Sequence, residues 1–144
     1  MTSKADLNNY TVDDFKKFEG IQWEHGKTDC YNLIQKVFWE MFNIALSDYD
    51  REKYWWAHPE LFDLYRQHYE QEGFVRVEIT EDNPLQIGDA ILMTIGCEIP
   101  CHAAIYIGDN KILHHFMNKE SSIEEYDGIW KQTTSEVIRH RNFL

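Results

Sequence analysis

The chain reads as an α+β protein, with helices gathered in its first half and an antiparallel β-meander in its second. Two patterns and one absence predict this. From Asp29 the apolar residues Leu33, Ile34, Val37, Phe38, Met41, Phe42 and Ala45 recur at three- and four-residue spacing, the mark of one buried helical stripe. From Phe74 onward apolar residues fall in short runs, and Gly108-Asp109-Asn110 separates two of them as a hairpin turn. Strands and helices do not alternate along the chain, so a parallel α/β sheet is not expected.

The elements follow in order. Residues 1–10 are polar and predict a loosely held start. Thr11 caps a short helix whose first turn carries Asp13 and Asp14 at the positive end of its dipole, ending near Gly20. Residues 21–28 carry no period and read as loop. The striped helix comes next, with Cys30 in its first turn, where free backbone N–H groups and the helix dipole favour an anion. Residues 47–57 form a connector. Pro59 fits the first position of a second helix over 60–71, facing inward through Leu61, Leu64, Tyr65 and Tyr69 and closed by Gly73. Strands are predicted over 74–79, 90–95, 102–107 and 111–115. After an irregular stretch over 116–134, a last strand covers 136–140. No repeat or boundary interrupts this order, so one domain is expected over residues 1–144, enough to bury roughly two-thirds of its unfolded surface.

Charge narrows the function classes. Twenty-five acidic residues against 14 basic ones give a formal charge of −11. Nucleic acid is excluded as a partner, since phosphate contacts need clustered Lys and Arg, and an anionic membrane surface is disfavoured for the same reason. No apolar run approaches the ~18 residues of a membrane span, and residues 1–10 lack the core of a signal peptide. Three cysteines without repeating spacing predict free thiols and folding in a reducing cytoplasm.

Chemistry concentrates at one cysteine and a few histidines. A free thiol has a pKa near ~8.5 and needs a helix N-terminus or a neighbouring imidazole to become a nucleophile. Cys30 has the first of these; its bland reading is a small buried core residue. His102 opens an apolar strand and could serve as general base if a third group oriented its ring. His114, on the next strand, is the candidate for that task, because strand alternation sends His115 to the opposite face. A zinc site built from Cys97, Cys101 and these histidines is disfavoured: Cys101 and His102 are adjacent and point to opposite sides of a strand. No metal or cofactor is expected, and Cys97 and Cys101 read as idle thiols flanking a turn. The aromatic run Tyr54-Trp55-Trp56 could stack on a ligand or simply pack. His25, His58, His68 and His140 show no partner and read as solvated.

Several of these segments together resemble the NlpC/P60 family of papain-like cysteine peptidases. They are Asp29-Cys30 opening a helix, Gly88-Asp89-Ala90-Ile91-Leu92, and the strand pair from His102 through Gly108-Asp109-Asn110 to His114. Tyr126-Asp127-Gly128-Ile129-Trp130 and Arg139-His140-Arg141 are similar to segments of its phage tail assembly branch. The resemblance spans residues 20–142. It implies a papain-like fold, Cys30 as nucleophile, His102 as base, His114 as the third residue and cleavage of peptidoglycan stem peptides at D-glutamyl or diaminopimelyl bonds. It also implies an oxyanion held by the Cys30 backbone N–H and an upstream tyrosine, at whose place this chain has Trp23. Tyr31-Asn32 stands where the family commonly has Ser-Gly. Trp23 and Tyr31 are therefore expected at the substrate pocket, which the 54–56 aromatics could join if they do not simply pack. The phage branch implies tail-tip proteins as partners, assembly in the host cytoplasm and delivery at the virion tail tip to the periplasm or wall. Its members usually carry a metallopeptidase-like domain ahead of the cysteine domain, and 144 residues predict the cysteine domain standing alone. The alternative is a tail-tip assembly protein with little wall hydrolysis. Acyl transfer at the same thiol is a third option.

Overall fold

The computed structural model describes residues 2–144. Six strands, β1 (Phe74–Val77), β2 (Ala90–Met93), β3 (His102–Gly108), β4 (Lys111–His114), β5 (Ser122–Glu125) and β6 (Thr134–His140), form one antiparallel sheet in the order β1-β6-β2-β3-β4-β5. Strands β2 to β4 follow the expected meander, and β5 extends it by one strand. The last strand departs from it by returning between β1 and β2. Its residues Glu136 to His140 are all buried, and a strand covered on both faces belongs inside a sheet rather than at its edge.

The sheet carries apolar side chains on both faces. One face presents Ala90, Leu92, Ala103, Ile105, Ile107, Leu113 and Ile138 to α1 (Cys30–Phe42), which meets them with Leu33, Ile34, Val37 and Phe38. The other presents Ile91, Met93, Ala104, Ile112 and Val137, packed with Tyr126 and with Trp130 of α3 (Gly128–Gln132). Asp29 caps α1, its carboxylate accepting from Asn32 N at 3.1 Å. The helix stops at Phe42 because Asn43 turns left-handed (φ 55°) and its N–H reaches back to the Trp39 carbonyl. Ala45 is therefore exposed instead of joining the stripe.

Other expectations are corrected. Residues 4–9 and 12–18 are 3-10 helices, and the first is anchored by the buried Leu7 instead of hanging loosely. The second helix shrinks to α2 (Leu64–His68), because Asp63 caps it by accepting from Arg66 N, leaving Leu61 exposed before it. The stretch read as irregular contains β5 and α3. His140 is buried among Phe38, Phe74 and Phe143. Gly73 (φ +94°) lies against it, and a Cβ there would come within 2.7 Å of His140 Nε2. Cys97 and Cys101 are not idle thiols: they form a disulfide across the turn before β3, with Cα atoms 6.7 Å apart, within bridging range.

Candidate active site

Cys30 is the first residue of α1, and its setting is built by Asp29. That carboxylate caps the helix, accepts from Gly26 N at 3.0 Å and takes Arg51 NH2 at 2.9 and 2.8 Å, with Arg51 Nε at 3.2 Å. Both side chains of this ion pair are buried. The Cys30 sulfur meets the Tyr65 hydroxyl at 3.0 Å. Burial first, then the Asp29 charge, pushes the thiol up to about 11, against the smaller lowering by the Tyr65 hydrogen bond. The anion-favouring helix start expected from sequence is thus outweighed. At neutral pH Cys30 is a thiol.

The imidazoles come from the sheet. Ala104 pairs with His114 in the register of β3 and β4, so His102 and His114 share a face. His102 Nε2 lies 2.8 Å from His114 Nδ1, and His114 Nε2 is hydrogen-bonded to Glu124 on β5. Trp130 stands edge-on to His114 with ring centroids 4.5 Å apart, and Phe116 abuts His102 at 5.2 Å. Burial holds both histidines below their ordinary value, so both are neutral at pH 7. The protons then follow from donor capacity. An ionised carboxylate only accepts, so His114 carries its proton on Nε2 and presents Nδ1 as acceptor. His102 must donate from Nε2, leaving Nδ1 as its basic nitrogen.

Cys30 and His102 line one open cleft, with Trp23, His25, Arg51, Trp55, Trp56, His115 and Phe116. His115 projects to the face opposite His114, its Nε2 donating to the Lys119 carbonyl at 3.0 Å. Trp23 is in the cleft. Tyr31 is not: its ring is buried against Tyr65 and its hydroxyl donates to the Ser47 carbonyl at 2.5 Å. Of the 54–56 aromatics, Trp55 and Trp56 reach the lining, and Trp55 is itself buried. Sequence reasoning missed Arg51, Tyr65, Glu124 and Trp130, and left His25 solvated although its Nε2 donates to the Arg51 carbonyl at 2.9 Å. Trp130 left a sequence signal through the segment it ends, and Tyr65 through the inward face of its helix, which did not show its role beside Cys30. Among the described residues, no group of three or more His, Cys, Asp or Glu side chains could hold a metal ion.

A helix-borne thiol and strand-borne imidazoles around one cleft, on an α+β sheet, have the layout of the papain-like fold class. The chain belongs to the NlpC/P60 family, whose family model matches residues 16–139; that family is generally cysteine peptidase-like. It is 36% identical over 122 residues to tail tip assembly protein K of Escherichia phage lambda, covering 85% of this chain and 58% of that protein. It is 28% identical over 117 residues to tail tip assembly protein K of Escherichia phage N15, covering 81% and 46%. The chain therefore spans about half the length of these curated relatives. A solved NLP/P60 family structure, described as similar to lipoprotein, from Staphylococcus aureus superposes with a TM-score of 0.62 at 19% identity. It covers 97% of this chain and 43% of that one, and shows the shared fold.

Proposed function

We propose that this chain is a cysteine endopeptidase domain of a phage tail tip that cleaves peptidoglycan stem peptides, at D-glutamyl or diaminopimelyl bonds, during wall penetration. The observation that carries this reading is the shared cleft: Cys30 and His102 line it together, and the His114–Glu124 chain leaves His102 Nδ1 unprotonated. With the thiol at about 11, the resting pair is neutral and the proton moves as the sulfur attacks. The Cys30 Sγ–H proton passes to His102 Nδ1 while sulfur bonds to the scissile carbonyl carbon. The resulting oxyanion is met by the Cys30 backbone N–H, unsatisfied at a helix start, and by the Trp23 indole N–H. Collapse breaks the C–N bond, and the leaving amine takes the proton from His102. Water then attacks the thioester, giving its proton to His102, and the thiol is restored as the acid product leaves.

The phage setting rests on the two tail tip assembly relatives, which also favour a second reading: a tail-tip component that binds or processes another tail protein. Partners are then other tail-tip proteins, met in the host cytoplasm during assembly, with delivery to the periplasm at the virion tail tip. Among the described residues no helix is long and apolar enough to cross a membrane. Phage genetics separates the readings. A phage carrying Cys30→Ala is expected to build normal tails yet infect poorly; one that builds no tails would favour the assembly role.

A further inference from the structure

We infer that Glu124 is a positioning residue of this site, whose carboxylate, acting through His114, fixes which nitrogen of His102 is free to take a proton. The inference rests on the peptidase reading for its kinetic consequence, though not for its chemistry. Glu124 lies on β5 opposite Ile112, one diagonal step from His114, and on the same face of the sheet. Its Oε2 accepts from His114 Nε2 and from Ser122 Oγ at 3.1 Å, and Ser122 is itself the direct cross-strand partner of His114. The carboxylate is thus held in place by the strand that carries it.

Direction of donation is the point. Two neutral imidazoles in contact can share their hydrogen bond in either sense. With His114 protonated on Nε2, His102 donates and keeps its lone pair on Nδ1. With His114 protonated on Nδ1, His102 accepts on Nε2 and holds its proton on Nδ1, where no base remains for a thiol. An acceptor at the far end of His114 selects the first arrangement. Among the described residues that hydrogen-bond His114 Nε2, the acceptor is Glu124. Once His102 becomes imidazolium, the same chain carries its charge toward the carboxylate. Because the Glu124 side chain is 43% exposed, screening limits its long-range field, and the hydrogen bond is what matters. Trp130 and Phe116 wall the rings off from water that could otherwise replace it.

Two readouts test this on the full chain. In imidazole ¹⁵N spectra at neutral pH, His102 and His114 are expected as Nε2–H tautomers. Glu124→Ala should mix the His114 tautomers, and Glu124→Asp should partly restore them. In hydrolysis of purified muropeptides, Glu124→Ala should lower kcat about 10- to 100-fold with little change in KM. The acid limb of its pH profile should move to lower pH, since removing the negative charge facing His114 makes the ring pair less basic. The other groups facing the pair are His115 and the uncharged Ser122, Phe116 and Trp130, all present in both proteins. Wild-type spectra showing His114 as Nδ1–H, or tautomers unmoved in Glu124→Ala, would overturn the inference. So would an active wild type whose Glu124→Ala variant keeps both kcat and pH profile. A wild type inert on muropeptides whose tautomers do respond would support the Glu124 assignment while sinking the peptidase reading.

Discussion

The two halves of the cleft place a carboxylate in opposite ways. On the thiol side, Asp29 is adjacent to Cys30, buried, and bound by Arg51 and two backbone N–H groups. On the imidazole side, Glu124 stands at the end of a chain of two neutral rings and is partly in solvent. Beside the thiol, the charge anchors the loop and the helix start, and it raises the thiol. Two rings away from the base, the other charge directs a proton. The same functional group therefore serves architecture in one half and acid–base direction in the other, and substitutions should separate the two.

The largest stability effect should come from the thiol half. Asp29→Ala leaves Arg51 buried without its partner and strips the α1 cap, which together cost about 3–5 kcal/mol. Glu124→Ala removes a carboxylate that is 43% exposed and bonded to a neutral, buried ring, and should cost about 1 kcal/mol. Urea unfolding of both variants checks this, and equal losses would dissolve the contrast. Acid should expose the imidazole half. His102 and His114 sit below their ordinary value when folded, so the unfolded chain binds more protons as pH falls below about 6.5. Stability is full above that value and falls below it, by up to about 1.4 kcal/mol per pH unit for each ring, until the folded pKa is reached. His102→Gln should flatten the slope.

The smallest effect sharpens the thiol half alone. Cys30 is the free cysteine of the chain, so its alkylation by iodoacetamide reports its thiolate. Asp29→Asn removes the charge that raises the thiol and should speed alkylation. Tyr65→Phe removes the hydrogen bond that lowers it and should slow alkylation. Each change should be about tenfold or less, and shifts in the same direction would contradict the assignment.

How much of this was legible in sequence depends on how local the signal was. The stripe of α1 and the alternation that puts His114, rather than His115, beside His102 are periodicities, and both are present in the fold. The partners of Cys30 were invisible because they reach it through tertiary packing: Arg51 comes from a connector with no pattern, and the inward face that includes Tyr65 does not say where its hydroxyl ends. Glu124 was hidden differently. The edge strand Ser122–Glu125 has a single apolar residue, Ile123, so no alternation marks it, and without a strand there was no face on which to place a carboxylate. The Cys97–Cys101 bridge likewise depends on a turn that composition does not encode.

The central claim is that Cys30 and His102 act together on a peptide carbonyl. The most direct measurement is digestion of purified muropeptides by the wild-type protein and by Cys30→Ala, with products identified by mass spectrometry. Wild type should release fragments with a new amine and a new carboxyl end within the stem peptide, and Cys30→Ala should release none. Equal release by both proteins would remove Cys30 as the nucleophile and with it this account of the cleft.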